Sequence, residues 1–207
     1  MVDSIEEVRL RLGLDPWVFW GMSGGGWLGQ VYAHRYPEAL RGVILESVCS
    51  CWRLRVADPR CLASPFHPSW RPTLERHGLI DPAAHAATGE VAETEWYEVD
   101  GVGSVFRRRG GPALVVSPIP LSQEMRTAMP LFWTVDLRES LPQIRVPTLV
   151  IGGTADPIAP LSHVRSLHEA IAGSWLLIHE GGHVPTTTRD GKIVPRFLHE
   201  CSKGPGA

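Results

Sequence analysis

Three residues of this chain have the types and surroundings to cleave an acyl bond together: Ser23, Asp156 and His183. Ser23 lies in Gly21-Met22-Ser23-Gly24-Gly25, which fits the pattern G-x-S-x-G. A turn of that kind holds its serine in a strained backbone conformation, and large flanking side chains would collide with the adjoining strand or helix. It projects the serine Oγ near the positive end of the following helix and aims the Gly24 N–H at a developing oxyanion. Asp156, in Gly152-Gly153-Thr154-Ala155-Asp156-Pro157, can orient an imidazole and stabilise the charge that develops on it. His183, in His179-Glu180-Gly181-Gly182-His183-Val184-Pro185, can act first as general base toward Ser23 and then as acid toward the leaving group. Such chemistry passes through an acyl-serine intermediate and needs no cofactor. It predicts Ser23 Oγ within about 4 Å of one His183 ring nitrogen, with the other nitrogen facing Asp156.

Each element also has a plainer reading. Glycine-rich turns containing serine are common, and Asp156 could simply form an Asp-Pro turn or cap a following helix. Residues 179–183 match H-E-x-x-H literally, but that zinc motif needs a helix with both histidines on one face. Two central glycines, a preceding strand and Pro185 argue against a helix, so no metal is expected, and His179 reads as structural. Met22 reads as packing. Cys49, Cys51, Cys61 and Cys201 contain no C-x-x-C and are expected to be reduced thiols. Cys49 and Cys51 follow a strand end, but nothing pairs either with a base.

The elements that must position these residues alternate. Residues 4–12 predict a helix capped by Ser4, with Ile5, Val8 and Leu12 on its buried face and Gly13 ending it. Trp17-Val18-Phe19-Trp20 predicts a strand buried on both faces. After the glycines, Trp27, Leu28, Val31, Tyr32 and Tyr36 keep helical spacing until Pro37. Residues 42–46 predict a second buried strand. Residues 146–151, with Pro147 near the start, and 174–178 predict two more, with a helix at 161–172 between them and another at 190–200 burying Ile193, Val194, Phe197 and Leu198. The tail from Ser202 is expected to fray. The alternation argues for an α/β fold: a mostly parallel sheet with helices on both faces. Residues 52–141 break the pattern. They are rich in proline, without a long apolar period, and predict short helices at 70–77, 81–97 and 121–133. That is an inserted helical lid, since so long a run of plain loop is unusual inside a compact domain. Core segments 1–51 and 142–207 thus flank a lid or cap, 52–141.

The chain has 207 residues, 43 % hydrophobic and 20 % charged, with a formal charge of −2. This is globular composition without the positive footprint of a nucleic-acid binder. Residues 1–7 lack the basic and apolar regions of a signal peptide, and no run is long and apolar enough to span a membrane. A cytoplasmic location is expected, with no nucleic-acid or membrane partner. Arg107-Arg108-Arg109 precedes Gly110-Gly111, but no lysine follows as a phosphate-binding loop requires.

Residues 17–46 resemble the nucleophile-elbow region of α/β-hydrolases, and 146–185 resemble their acid and histidine loops. The order Ser, Asp, His is that family's order. His34-Arg35-Tyr36-Pro37-Glu38-Ala39-Leu40-Arg41-Gly42-Val43-Ile44-Leu45 is similar to the family's link from elbow helix to next strand. The resemblance implies that Asp156 and His183 follow the strands that commonly carry the acid and the histidine. It also implies a departure. The family has a longer stretch before the elbow, with the first strands and a glycine-bearing loop that gives a second oxyanion donor. Only 22 residues precede Ser23 here. The expectation is a hydrolase fold without its amino-terminal third, about four parallel strands, and self-association through an incomplete sheet.

Two functions follow. One is a serine hydrolase acting on an ester, amide or small peptide through Ser23, Asp156, His183 and the Gly24 N–H. Trp27 beyond the glycines gives a loose likeness to proline iminopeptidases, whose tryptophan directly follows the serine. The other is a catalytically weak or inactive remnant of the fold that binds or interacts. Phe66, Trp70, Trp96, Tyr97, Phe106, Phe132 and Trp133 could line an apolar pocket or pack the lid. Glu95 and Glu98 could receive a free amine or be solvated.

Overall fold

The computed structural model describes residues 1–80, 93–183 and 191–203. It divides into two compact units, Met1–Ser50 with Leu137–Ala207, and Cys51–Asp136.

The first unit is built on a four-stranded parallel sheet in the order β1-β2-β6-β7. The strands are β1 (Trp17–Met22), β2 (Leu40–Glu46), β6 (Thr148–Gly153) and β7 (Trp175–His179). Its helices are α1 (Val2–Arg11), α2 (Gly24–Arg35), α6 (Leu161–Ala170) and α7 (Ile193–Ser202). The glycines of the strands show which helix covers which face. A Cβ at Gly42 would lie 2.5 Å from Cys201 Sγ of α7, whereas one at Gly152 would lie 2.7 Å from Val164 of α6. Gly29 of α2 would meet Leu45 and Phe19. Side chains alternate along a strand, so α2 and α6 share one face and α7 takes the other. The α7 face buries Ile44, Leu149, Ile151 and Leu177 against Val194, Phe197 and Cys201. Leu198 is exposed, and Cys201 takes the buried place expected of it.

Two expectations need correction in this unit. Helix α1 starts at Val2 with Met1 as its uncapped N-cap, and Ser4 lies inside it. Its buried residues are Val2, Glu6 and Arg9, while Val8 and Leu12 are exposed. Polar burial is sustained there by a closed network. Arg9 donates to both Glu6 carboxylate oxygens at 3.0 and 2.7 Å, Tyr32 Oη donates to Glu6 at 2.7 Å, and Trp17 Nε1 donates to Tyr32 Oη at 3.2 Å. Burial and the Glu6 carboxylate push the Tyr32 hydroxyl up to about 12. Strand β1 is not buried on both faces: it is the sheet's edge, with Trp20 and Met22 exposed. Gly13, at φ +62°, ends α1 as expected.

An unpaired edge beside exposed aromatic and aliphatic side chains is a template for a second strand. The purified 207-residue chain is therefore expected to self-associate with rising concentration. A constant monomer mass in light scattering across that range would contradict this.

The second unit carries the inserted helices α3 (Trp52–Ala57), α4 (Arg71–Arg76) and α5 (Gln123–Trp133), the last capped by Ser122. It also holds an antiparallel sheet of β3 (Thr94–Val99), β4 (Gly103–Arg108) and β5 (Ala113–Ser117) that the sequence reading did not foresee. Of the helix expected at 81–97, residues 81–92 lie outside the described residues, and Thr94–Val99 is strand. Trp96 pairs with Phe106 and Tyr97 with Val105 across a hairpin turned by Gly101 and Gly103, both at positive φ. β-branched and aromatic residues favour such pairing over a helix. Phe66, Trp70, Leu74, Val105 and Val116 form this unit's core.

Candidate active site

The strand-to-helix turn after β1 is as strained as the glycine pattern implies. Ser23 has φ 52° and ψ −119°, a left-handed conformation that a non-glycine residue adopts at a cost of about 1–3 kcal/mol. It is the N-cap of α2, and its backbone N–H is held by the Glu46 carbonyl at 2.9 Å. The glycines around it differ in purpose. A Cβ at Gly21 would lie 2.2 Å from the Gly25 carbonyl oxygen, so the turn closes only without it. Gly24 and Gly25 have open space where a Cβ would be, so no collision explains them. Gly24 is the first residue of α2, where an N–H has no partner within the helix.

Asp156 and His183 follow neighbouring strands. His183 Nδ1 stands 2.9 and 3.1 Å from the two Asp156 carboxylate oxygens. Asp156 is 5 % exposed and accepts further bonds from the Ile158 and Ala159 amides at 2.8 and 2.9 Å. Burial pushes its carboxyl up, but the His183 bond and the two amides outweigh that and hold it below the usual carboxylate range. The two loops are also tied through the main chain. Thr154 N–H donates to the His179 carbonyl at 3.0 Å and Ala155 N–H to the Gly181 carbonyl at 2.9 Å. A Cβ at Gly153 would lie 2.4 Å from the Gly181 oxygen, so a glycine there lets the histidine loop settle on β6.

Ser23, Asp156 and His183 all follow the carboxyl ends of strands of one parallel sheet, the end where open α/β sheets carry their sites. Asp156 and His183 are in contact. Among the described residues no hydrogen bond joins Ser23 Oγ to His183, and such contacts often tighten only with substrate bound. His179 ends β7 and residues 180–183 form a loop, so 179–183 is not the helix that a zinc reading requires. Among the described residues no group of three His, Cys, Asp or Glu is placed to hold a metal, and no helix is long and apolar enough to cross a membrane. All four cysteines are buried, and none is joined in a disulfide.

The second unit engages the side chains considered for substrate. Glu95 pairs with Arg107 at 2.8 Å, and Glu98 with Arg126 at 2.8 Å. Phe66, Trp70, Phe106 and Trp133 are buried. A cleft of about 630 Å³ lies at the amino ends of β1, β2 and β6, lined by Pro16, Leu40, Arg145 and Cys201, away from the site.

One buried carboxylate beside the elbow escaped the sequence reading. Glu46 ends β2 beside the elbow, 1 % exposed, and accepts a bond from Trp20 Nε1 at 2.8 Å. Burial pushes its carboxyl up, against the Trp20 bond and the charges of His179 and His183. The available signal was a lone carboxylate closing the apolar run 42–45.

The model of the serine hydrolase (FSH1) family matches residues 115–192, which include Asp156 and His183 but not Ser23. Poly(3-hydroxyalkanoate) depolymerase of Ectopseudomonas oleovorans is 29 % identical over 87 % of this chain and 60 % of its own length. Proline iminopeptidase of Xylella fastidiosa is 24 % identical over 88 % of this chain and 66 % of its own. The chain thus spans less than two thirds of both relatives. Among solved structures, the enol-lactonase of Burkholderia xenovorans superposes with a TM-score of 0.57 at 22 % identity, covering 96 % of this chain and 71 % of that one. The Mycobacterium smegmatis proline iminopeptidase gives 0.59 at 19 %, covering 98 % and 71 %. The chain has an α/β-hydrolase-superfamily fold, shared with many divergent esterases and peptidases.

Proposed function

We propose that the chain is a serine hydrolase that cleaves an ester, amide or small peptide bond. Ser23 attacks the carbonyl, His183 Nε2 takes its proton and returns it to the leaving group, and Asp156 holds the imidazole through Nδ1. The Gly24 N–H receives the negative charge that develops on the substrate oxygen. The observation that carries this reading is the backbone of Ser23. Strain of that kind persists where the surrounding structure over-determines it, and here it presents a hydroxyl at a helix N-terminus. The Asp156–His183 pair at the same end of the sheet supports it. The relatives carry names of a depolymerase and an iminopeptidase, so both ester and peptide substrates belong to the proposal.

A fluorophosphonate reports an activated serine without knowledge of the substrate. The expected result is labelling of the wild-type chain and none of Ser23→Ala, with both proteins folded. Absence of labelling in folded wild type would favour a binding protein that keeps the fold without the reaction.

A further inference from the structure

We propose that Glu46 is a positioning residue for this site: it shares with Asp156 the balancing of the positive charge that His183 acquires when Ser23 gives up its proton. The proposal rests on the hydrolase reading. The proton moves from Ser23 Oγ to His183 Nε2 and on to the leaving group; Glu46 neither gives nor takes it and acts through its field.

The placement of Glu46 is unusual for a surface-loving residue. Its backbone oxygen holds the Ser23 N–H, so it is locked to the elbow. Strand register sets its side chain on the face that also carries Trp20 of β1, Ile151 of β6 and Leu177 and His179 of β7. Its Oε2 is held by the Trp20 indole, while Oε1 is buried and has no hydrogen-bond partner among the described residues. A buried carboxyl oxygen left open is costly, and such exceptions call for a role. A structural carboxylate would be closed on both oxygens, as Glu6 is by Arg9 and Tyr32.

What surrounds Glu46 indicates the role. Trp20 and Met22 from β1 and Ile151 from β6 bring no charge to it. Register puts His179 on the same face, four residues before His183, and the positive charges of these two histidines favour the Glu46 anion. Of these, His183 is the one paired with Asp156. An anion at Glu46 favours the imidazolium, and by reciprocity the imidazolium favours the anion by the same amount.

The test uses the full chain with ¹³C-carboxyl glutamate. In wild type the Glu46 carboxyl should titrate above the usual glutamate range, and in His183→Ala its midpoint should rise by about a further 0.5–1 pH unit. In Glu46→Gln, which can still accept the Trp20 bond, the acid limb of the fluorophosphonate rate profile should move to lower pH by a similar amount. The plateau should drop about 3–10-fold. Trp20→Phe, at a half-exposed position, removes the donor that favours the Glu46 anion and should move the limb the same way. A Glu46 midpoint unmoved by His183→Ala, with wild type still labelled, would overturn this proposal alone. Coupling without labelling would overturn the hydrolase reading instead.

Discussion

Asp156→Asn should slow Ser23 acylation by about 10⁴-fold while leaving the protein folded. The aspartate receives His183 Nδ1 on both oxygens and the amides of Ile158 and Ala159 on Oδ1. An asparagine can keep its oxygen on the two amides, which preserves the loop. It then turns an NH₂ toward Nδ1, which forces the wrong imidazole tautomer and removes the negative charge that balances the imidazolium. Stopped-flow or gel-based labelling rates measure the loss, and a drop of less than tenfold would remove Asp156 from the mechanism. The same substitution has a pH signature. A carboxyl held below its ordinary range contributes stability that is complete above the unfolded-state value and is lost as pH falls through the folded-state value. Asp156→Asn should therefore weaken the protein at neutral pH and flatten its loss of stability below the usual carboxylate range, as read from urea midpoints.

Gly21→Ala should cost about 2–4 kcal/mol and abolish labelling as well. The added Cβ would sit 2.2 Å from the Gly25 oxygen and 2.5 Å from its carbonyl carbon. Both are backbone atoms at the start of α2, so relief requires the helix to move away from β1. That movement displaces Ser23 and unloads its strain. Gly25→Ala supplies the contrast: its Cβ meets nothing within 4 Å and should be tolerated far better. Equal urea midpoints for Gly21→Ala and wild type would refute this account of the elbow.

Much of the fold is legible in the chain itself. The four strands of the parallel sheet are marked by short apolar runs, and each lies within two residues of its expected place. The placement of Ser23, Asp156 and His183 after strand ends was legible because glycines and proline flank them. Other features were hidden for physical reasons. Periodicity reports where apolar residues recur, not which face a neighbour covers. Helix α1 therefore reads as burying Ile5 and Val8, although the adjacent face is the buried one, where Glu6 is tied to Arg9 and to Tyr32 of α2. The hairpin of β3 and β4 depends on cross-strand pairs that no local window contains. Glu46 reads as the polar end of a strand, because its neighbours Trp20 and Met22 of β1 and Ile151 of β6 come from distant parts of the chain.

Beside the Asp156–His183 pair, the tie between the acid and histidine loops is made of main-chain atoms. Thr154 and Ala155 contribute their N–H groups while their side chains face outward. Chain drift over generations would thus be screened very unevenly within one short turn. Positions 154 and 155 are exposed and, among the described residues, their side chains make no hydrogen bond, so they can accept many residues that keep the backbone dihedrals. Position 153, one step earlier, can accept none with a β-carbon. The mutational record of this turn would show a single frozen site beside two freely varying ones.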